Sequence, residues 1–127
     1  MHKWQSDVFD FHEKFNLITN DIPTLPSRDE QALRLRLILE EVTELEKAIQ
    51  DQNMEEVADS IVDAIYVLLA MAVSFGIDIE PIWDEVHQTN MRKERGKFRA
   101  DGKVLKPLGW LPPEVKRLLK EQGWNEE

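Results

Sequence analysis

The sequence predicts an all-α chain, a helical bundle of four main helices plus a short C-terminal helix. Three observations predict it. Apolar residues recur at helical spacing, as Trp4, Val8, Phe11 and Phe15 do at i, i+4, i+7 and i+11. No stretch of strand length alternates apolar with polar residues. The Gly, Pro, Asn and Asp clusters fall between the periodic segments, where turns belong.

Each element follows from local signals. Trp4 to about Phe15 forms the first helix, with those aromatic residues and Val8 on one face. Asn16 to Ser27, holding Pro23 and Pro26, reads as an irregular loop. Ser27 is the expected N-cap of the second helix, with Glu30 completing a capping box. That helix runs to about Gln50, and Asp51-Gln52-Asn53 is a tight turn. The third helix spans about Met54 to Phe75. From Ala64 onward it is apolar nearly all round and must be enclosed on every side. Gly76 stops it. The fourth starts at Asp78 or Ile79, tolerates Pro81 in its first turn, and ends before Gly96. Residues 96–112 form a flexible basic arm, and Pro113 to Gln122 a last short helix with Val115, Leu118 and Leu119 on one side.

Bulk properties bound the function. The length of 127 residues suits a single domain over residues 1–127, able to bury a core of its own. Its longest apolar run, Ala64 to Phe75, is too short to span a bilayer, so no membrane partner is expected. A net charge of −9 argues against a nucleic acid polymer as partner. The absence of cysteine excludes disulfides, thiolate zinc sites and thiol nucleophiles. With no apolar signal region after Met1, a cytoplasmic location is expected. Charge is uneven: Arg92 to Lys106 holds seven Lys and Arg against two acids, on an otherwise acidic body.

The acids concentrate where two helices meet. An α-helix turns about 100° per residue, so Glu40, Glu41 and Glu44 share one side of the second helix. Glu56, Asp59 and Asp63 share one side of the third. Both stripes lie beside the apolar stripes rather than opposite them, so packing draws the acids toward one seam. Folding about Gln52 brings Glu44 level with Asp59 and Ser60, and Glu40 and Glu41 near Asp63. Acidic helix residues are most often a solvated face; here the facing register argues for a ligand. An all-oxygen carboxylate set suits Mg²⁺ or Mn²⁺, not zinc. There is no phosphate-cradling glycine loop, and the three histidines are scattered.

Glu40-Glu41-x-x-Glu44 followed by Glu56-x-x-Asp59 resembles the signature of the all-α nucleoside triphosphate pyrophosphohydrolases. That group includes MazG-like proteins, phosphoribosyl-ATP pyrophosphohydrolases and dimeric dUTPases. The tail, His87-x-x-Asn90-Met91-x-Lys93 and then Asp101-Gly102-Lys103-x-x-Lys106-Pro107-x-Gly109-Trp110, resembles a MazG-like subgroup with dUTP-hydrolysing members. Phe11-His12-x-x-Phe15 fits the same subgroup. The resemblance implies Mg²⁺, or Mn²⁺ in its place, held by Glu41, Glu44, Glu56 and Asp59. It makes Glu40 the base that activates water, and has Asn90 and Lys93 contact the nucleotide while Lys103 and Lys106 neutralise phosphate. Only eleven residues separate Glu44 from Glu56, slightly fewer than is usual in that group, which keeps Asp63 as a substitute ligand.

The expected function is Mg²⁺-dependent hydrolysis of a (d)NTP, dUTP or a similar dNTP, to the monophosphate and pyrophosphate, serving nucleotide-pool housekeeping. Phosphoribosyl-ATP is the alternative substrate, and a non-catalytic helical oligomer the alternative of another class. The apolar third helix exceeds what four short neighbours enclose, so a homodimer or a dimer of dimers is expected. Trp110 is expected either to stack on a base or to anchor the arm. His12 is expected to be a packing or helix-surface residue, and Trp4 and Trp83 to lie in the core or a subunit interface.

Overall fold

The computed structural model describes residues 1–93, 95 and 97–126. It is all-helical among those residues: α1 (Lys3–Lys14), α2 (Arg28–Gln50), α3 (Met54–Phe75), α4 (Ile79–Met91) and α5 (Val115–Glu121). The fourth helix ends at Met91, before Gly96 as expected, while Glu94 and Gly96 lie outside the described residues.

The helix ends are set by short polar side chains. Ser27 Oγ accepts from the Glu30 N–H, Asn53 Oδ1 from the Glu56 N–H, and Asp78 Oδ1 from the Glu80 N–H. The capping box is not completed, however. The Glu30 carboxylate turns inward, where Oε2 accepts from Arg34 Nε at 2.8 Å and from Ser74 Oγ at 2.6 Å. A buried guanidinium is a stronger partner than an exposed backbone N–H, so the side chain leaves the cap.

α2 and α3 form an antiparallel hairpin through Asp51–Asn53, with Gln52 at positive φ. α1 packs against α3, where Val8, Ala70 and Val73 make the buried cluster with Phe9, Tyr66 and Leu69 around it. Gly76 ends α3 at φ 70°; a Cβ there would stand 2.0 Å from the Ile22 carbonyl oxygen, so only glycine lets the loop pass. That loop satisfies the last carbonyls of α3. Thr24 N–H donates to Phe75 O, Asn20 N–H to Val73 O, and Asn20 Nδ2 to Ser74 O. The α3–α4 link is then clamped by two amides. Gln5 donates to Ile77 O and accepts from Ile79 N–H, while Gln122 donates to Asp78 O and accepts from its N–H.

One chain does not enclose α3, as its apolar length led us to expect: Leu68, Ile61 and Val62 are exposed, and the buried residues near its end are mostly small, Ala70, Ala72, Val73 and Ser74. Trp4 and Trp83 are exposed, which removes the core and leaves an interface as the other place expected for them; Phe11 and Phe15 are exposed too. The reason is geometric. α4 packs mainly on α5, leaving α2 and the twelve-residue α1 to cover a helix of twenty-two residues. By length and composition α3 is also apolar enough to cross a membrane. It packs against both α1 and α2, and its first turns carry Glu55, Glu56, Asp59 and Asp63.

Candidate functional site

The predicted acids lie along the α2–α3 hairpin, from Glu56 beside its turn to Glu40 and Asp63 farther along the two helices. Glu40 and Glu44 on α2, and Glu56 and Asp59 on α3, are exposed, whereas Glu41 and Asp63 are half-buried. Glu41 is the centre of the group. Burial raises its pKa from the ordinary glutamate value, and the charges of Asp63, Glu44, Glu40 and Asp59 add to the shift, in that order. Asp63, held in the sequence reading only as a substitute ligand, is thus the strongest carboxylate neighbour of Glu41. Glu56 is not among those neighbours; it sits in the first turn of α3, its N–H bound by Asn53.

Among the described residues no three His, Asp or Glu side chains converge closely enough to hold a metal ion. The donor set nevertheless has the chemistry of a hard-cation site. It is all carboxylate, drawn from two facing helices, and its most buried members repel one another without a cation among them. A divalent cation placed among them would relieve that repulsion.

The basic residues gather elsewhere, at the C-terminal end of α4. Lys97 O and Lys103 O accept from Leu105 N–H and Arg99 N–H, and Phe98 bridges Val104, so this part of the arm is a small β-bridged turn. Arg99 pairs with Asp101. Lys103 is exposed, and its backbone N–H donates to Asp101 Oδ1. Lys93 and Lys106 both lie over the Trp110 ring, whose Nε1–H donates to Thr89 O at 2.6 Å. Trp110 is therefore an anchor of the arm, one of the two roles expected for it. Asn90 is exposed one residue beyond Thr89, and its carbonyl accepts from the Lys93 N–H. Among the described residues α4 does not pack extensively against α2 or α3, so seam and arm are not joined by helix packing.

A buried polar corner was missed by the sequence reading. Glu30, Arg34 and Ser74 join the start of α2 to the end of α3, and His12 lies fully buried nearby. His12 Nδ1–H donates to Ile18 O at 2.8 Å, while Nε2 has no partner. Burial holds its pKa below the ordinary histidine value; the bond to Ile18 opposes the shift, the Arg34 charge adds to it, and Glu30 opposes it. His12 is thus a packed, neutral residue, in line with its expected role. The sequence did carry a signal for this corner: Glu30 and Arg34 stand at i, i+4, and Ser74 is a lone hydroxyl in an aliphatic stretch.

Two comparisons bear on this arrangement. The model of a family described as phosphoribosyl-ATP pyrophosphohydrolase matches residues 8–90, well over half of the chain, and runs from the middle of α1 through nearly all of α4, with the whole acidic seam. An uncharacterized protein of Acanthamoeba polyphaga mimivirus is 44% identical over 48 residues, 38% of this chain and 19% of that protein. The chain thus spans about a fifth of the length of that curated relative.

Proposed function

Because the chain belongs to the phosphoribosyl-ATP pyrophosphohydrolase family, and so to the MazG-like all-α pyrophosphohydrolases, we propose that it cleaves a nucleoside triphosphate between the α- and β-phosphates. The products are the nucleoside monophosphate and pyrophosphate, and the substrate a (d)NTP such as dUTP, in nucleotide-pool housekeeping. The observation that carries this reading is the half-buried Glu41, its carboxyl raised by burial and by four neighbouring carboxylates on the matched hairpin. A carboxylate so placed is destabilised unless a ligand supplies positive charge.

Glu41, Glu44, Glu56 and Asp59, with Asp63 beside Glu41, are the residues that would hold Mg²⁺ or Mn²⁺. Such a cation, when bound, supplies charge neutralisation for the phosphate oxygens. The chain's own residues do the rest. Glu40, exposed at the rim of the seam, takes a proton from the attacking water. Water adds to the α-phosphorus as the bond to the bridging oxygen breaks, and pyrophosphate departs with that electron pair. Asn90 and Lys93 hold the nucleotide, and Lys103 and Lys106 compensate the charge that accumulates on the leaving group.

The exposed apolar faces of α2 and α3 support a homodimer, or a dimer of dimers. Leu35, Leu39 and Val42 on α2, with Ile61, Val62 and Leu68 on α3, form more apolar surface than one chain covers. Sedimentation equilibrium should give at least twice the single-chain mass; a monomer would refute this part. A location in the cytoplasm belongs to the same reading.

The family match favours a second substrate, phosphoribosyl-ATP, which presents the same bond to the same seam. One screen separates the readings. Pyrophosphate release is measured with Mg²⁺ or Mn²⁺ over canonical and modified (d)NTPs and phosphoribosyl-ATP. Release from a dNTP well above that from phosphoribosyl-ATP supports the first reading, and the reverse supports the second. Release from none of them would leave a non-catalytic helical oligomer.

A further inference from the structure

At the C-terminal end of α4, two ammonium groups share one indole. Lys93 Nζ lies 5.5 Å and Lys106 Nζ 5.0 Å from the centroid of the Trp110 ring. The ring itself is fixed, because Nε1–H donates to the carbonyl of Thr89, a residue only 2% exposed, and the Trp110 N–H donates to Pro107 O. Lys93 comes from the turn after α4 and Lys106 from the far side of the β-bridged turn, so the indole is what they have in common. Neither forms an ion pair with a carboxylate among the described residues. The nearby Asp101 is already taken by Arg99.

Two like charges held near one ring without a counter-ion form a site for an anion. Cation–π attraction offsets part of their mutual repulsion, and a phosphate group removes the rest. The negative end of the α4 dipole draws cations to this region. It does not by itself bring two of them to the same ring.

We propose that Trp110 is a positioning residue that gathers Lys93 and Lys106 into one binding site for a pyrophosphate group. That group is the β- and γ-phosphates of the substrate before cleavage and the leaving group after it, so the assignment rests on the hydrolysis proposed above. An indole that only anchors the arm is the competing account, and the two differ in which substitution matters. Trp110→Leu keeps an apolar anchor and removes the π face. Trp110→Phe keeps a π face and removes the bond to Thr89.

The test is calorimetric titration of inorganic pyrophosphate into the full chain, without nucleotide. For Trp110→Leu the affinity should fall about tenfold, and for Trp110→Phe by much less. Lys106→Ala should also cost about tenfold in the parent chain, and much less once Trp110 is Leu. Equal affinities for the Leu and Phe variants would overturn the assignment. The cycle of Lys93→Ala and Lys106→Ala, which leaves Trp110 in place, asks the same question of a chain with an intact anchor. Non-additive losses support one shared site, and independent additive losses refute it. A chain that hydrolyses no triphosphate yet shows the Leu–Phe difference would refute the proposed hydrolysis and keep the site. A chain that hydrolyses triphosphates without that difference would do the opposite.

Discussion

Glu30 and Glu41 lie on the same helix, three turns apart, and have opposite surroundings. Glu30 is 9% exposed, and its Oε2 accepts from Arg34 and Ser74. Its charge is matched inside the chain, and it ties the start of α2 to the end of α3. Glu41 is half-buried among Asp63, Glu44, Glu40 and Asp59, and its ionised form is disfavoured by burial and by all four. The first carboxylate is matched by its neighbours; the second is opposed by them. A charge left unsatisfied where packing could have satisfied it is the mark of a functional group.

Substitutions can break that contrast. Glu41→Gln should lower pyrophosphate release by on the order of a thousandfold without lowering the melting temperature. The sign follows from linkage. A carboxyl whose folded pKa is raised costs nothing below its unfolded pKa, and destabilises the fold progressively as pH rises from there through the folded value. Removing it therefore leaves stability at neutral pH unchanged or higher; a variant that loses activity and melts early would show Glu41 to be structural. Arg34→Met should do the reverse, costing about 3 kcal/mol in urea unfolding because Glu30 is left buried without its cation. A neutral result would remove the corner from the account. Ser74→Ala deletes one charge-assisted hydrogen bond and should cost about 1.5 kcal/mol by the same measurement.

Subtler changes sharpen the comparison. Asp63 is the strongest carboxylate acting on Glu41, so Asp63→Asn should move the Glu41 titration, followed by carboxyl NMR without metal, to lower pH. An unmoved titration would place Asp63 outside the seam. In the polar corner, the depressed pKa of His12 means its contribution is present above the ordinary histidine value of 6.5 and lost as pH falls below it. His12→Gln should flatten that part of the stability–pH curve; an unchanged slope would contradict it.

Most of the helical frame was legible because its boundaries are chemical. Ser27, Asn53 and Asp78 cap helices through their own side chains, and Gly76 supplies a backbone conformation and a close approach that few residues allow. The seam was legible because helical periodicity puts Glu41 and Asp63 at one level across a short turn. Three features were not, and each depends on contacts distant in sequence. Glu30 looks like half of a capping box until Ser74, forty-four residues away, is brought to it. Trp110 reads equally as a base platform or an anchor until Thr89 and two lysines meet it. The Gln5 and Gln122 amides that hold the α3–α4 link leave no periodic signal.

We propose that the seam around Glu41 is a divalent-cation site built for phosphate chemistry. The most direct measurement follows the ionisation of the Glu41 carboxyl by NMR in the wild-type chain, with and without Mg²⁺ and a non-hydrolysable nucleotide. Without them the midpoint should lie above the ordinary carboxylate value; with them it should fall below that value, because a bound cation reverses the sign of the local field. A midpoint that stays raised with Mg²⁺ and nucleotide present would contradict the claim.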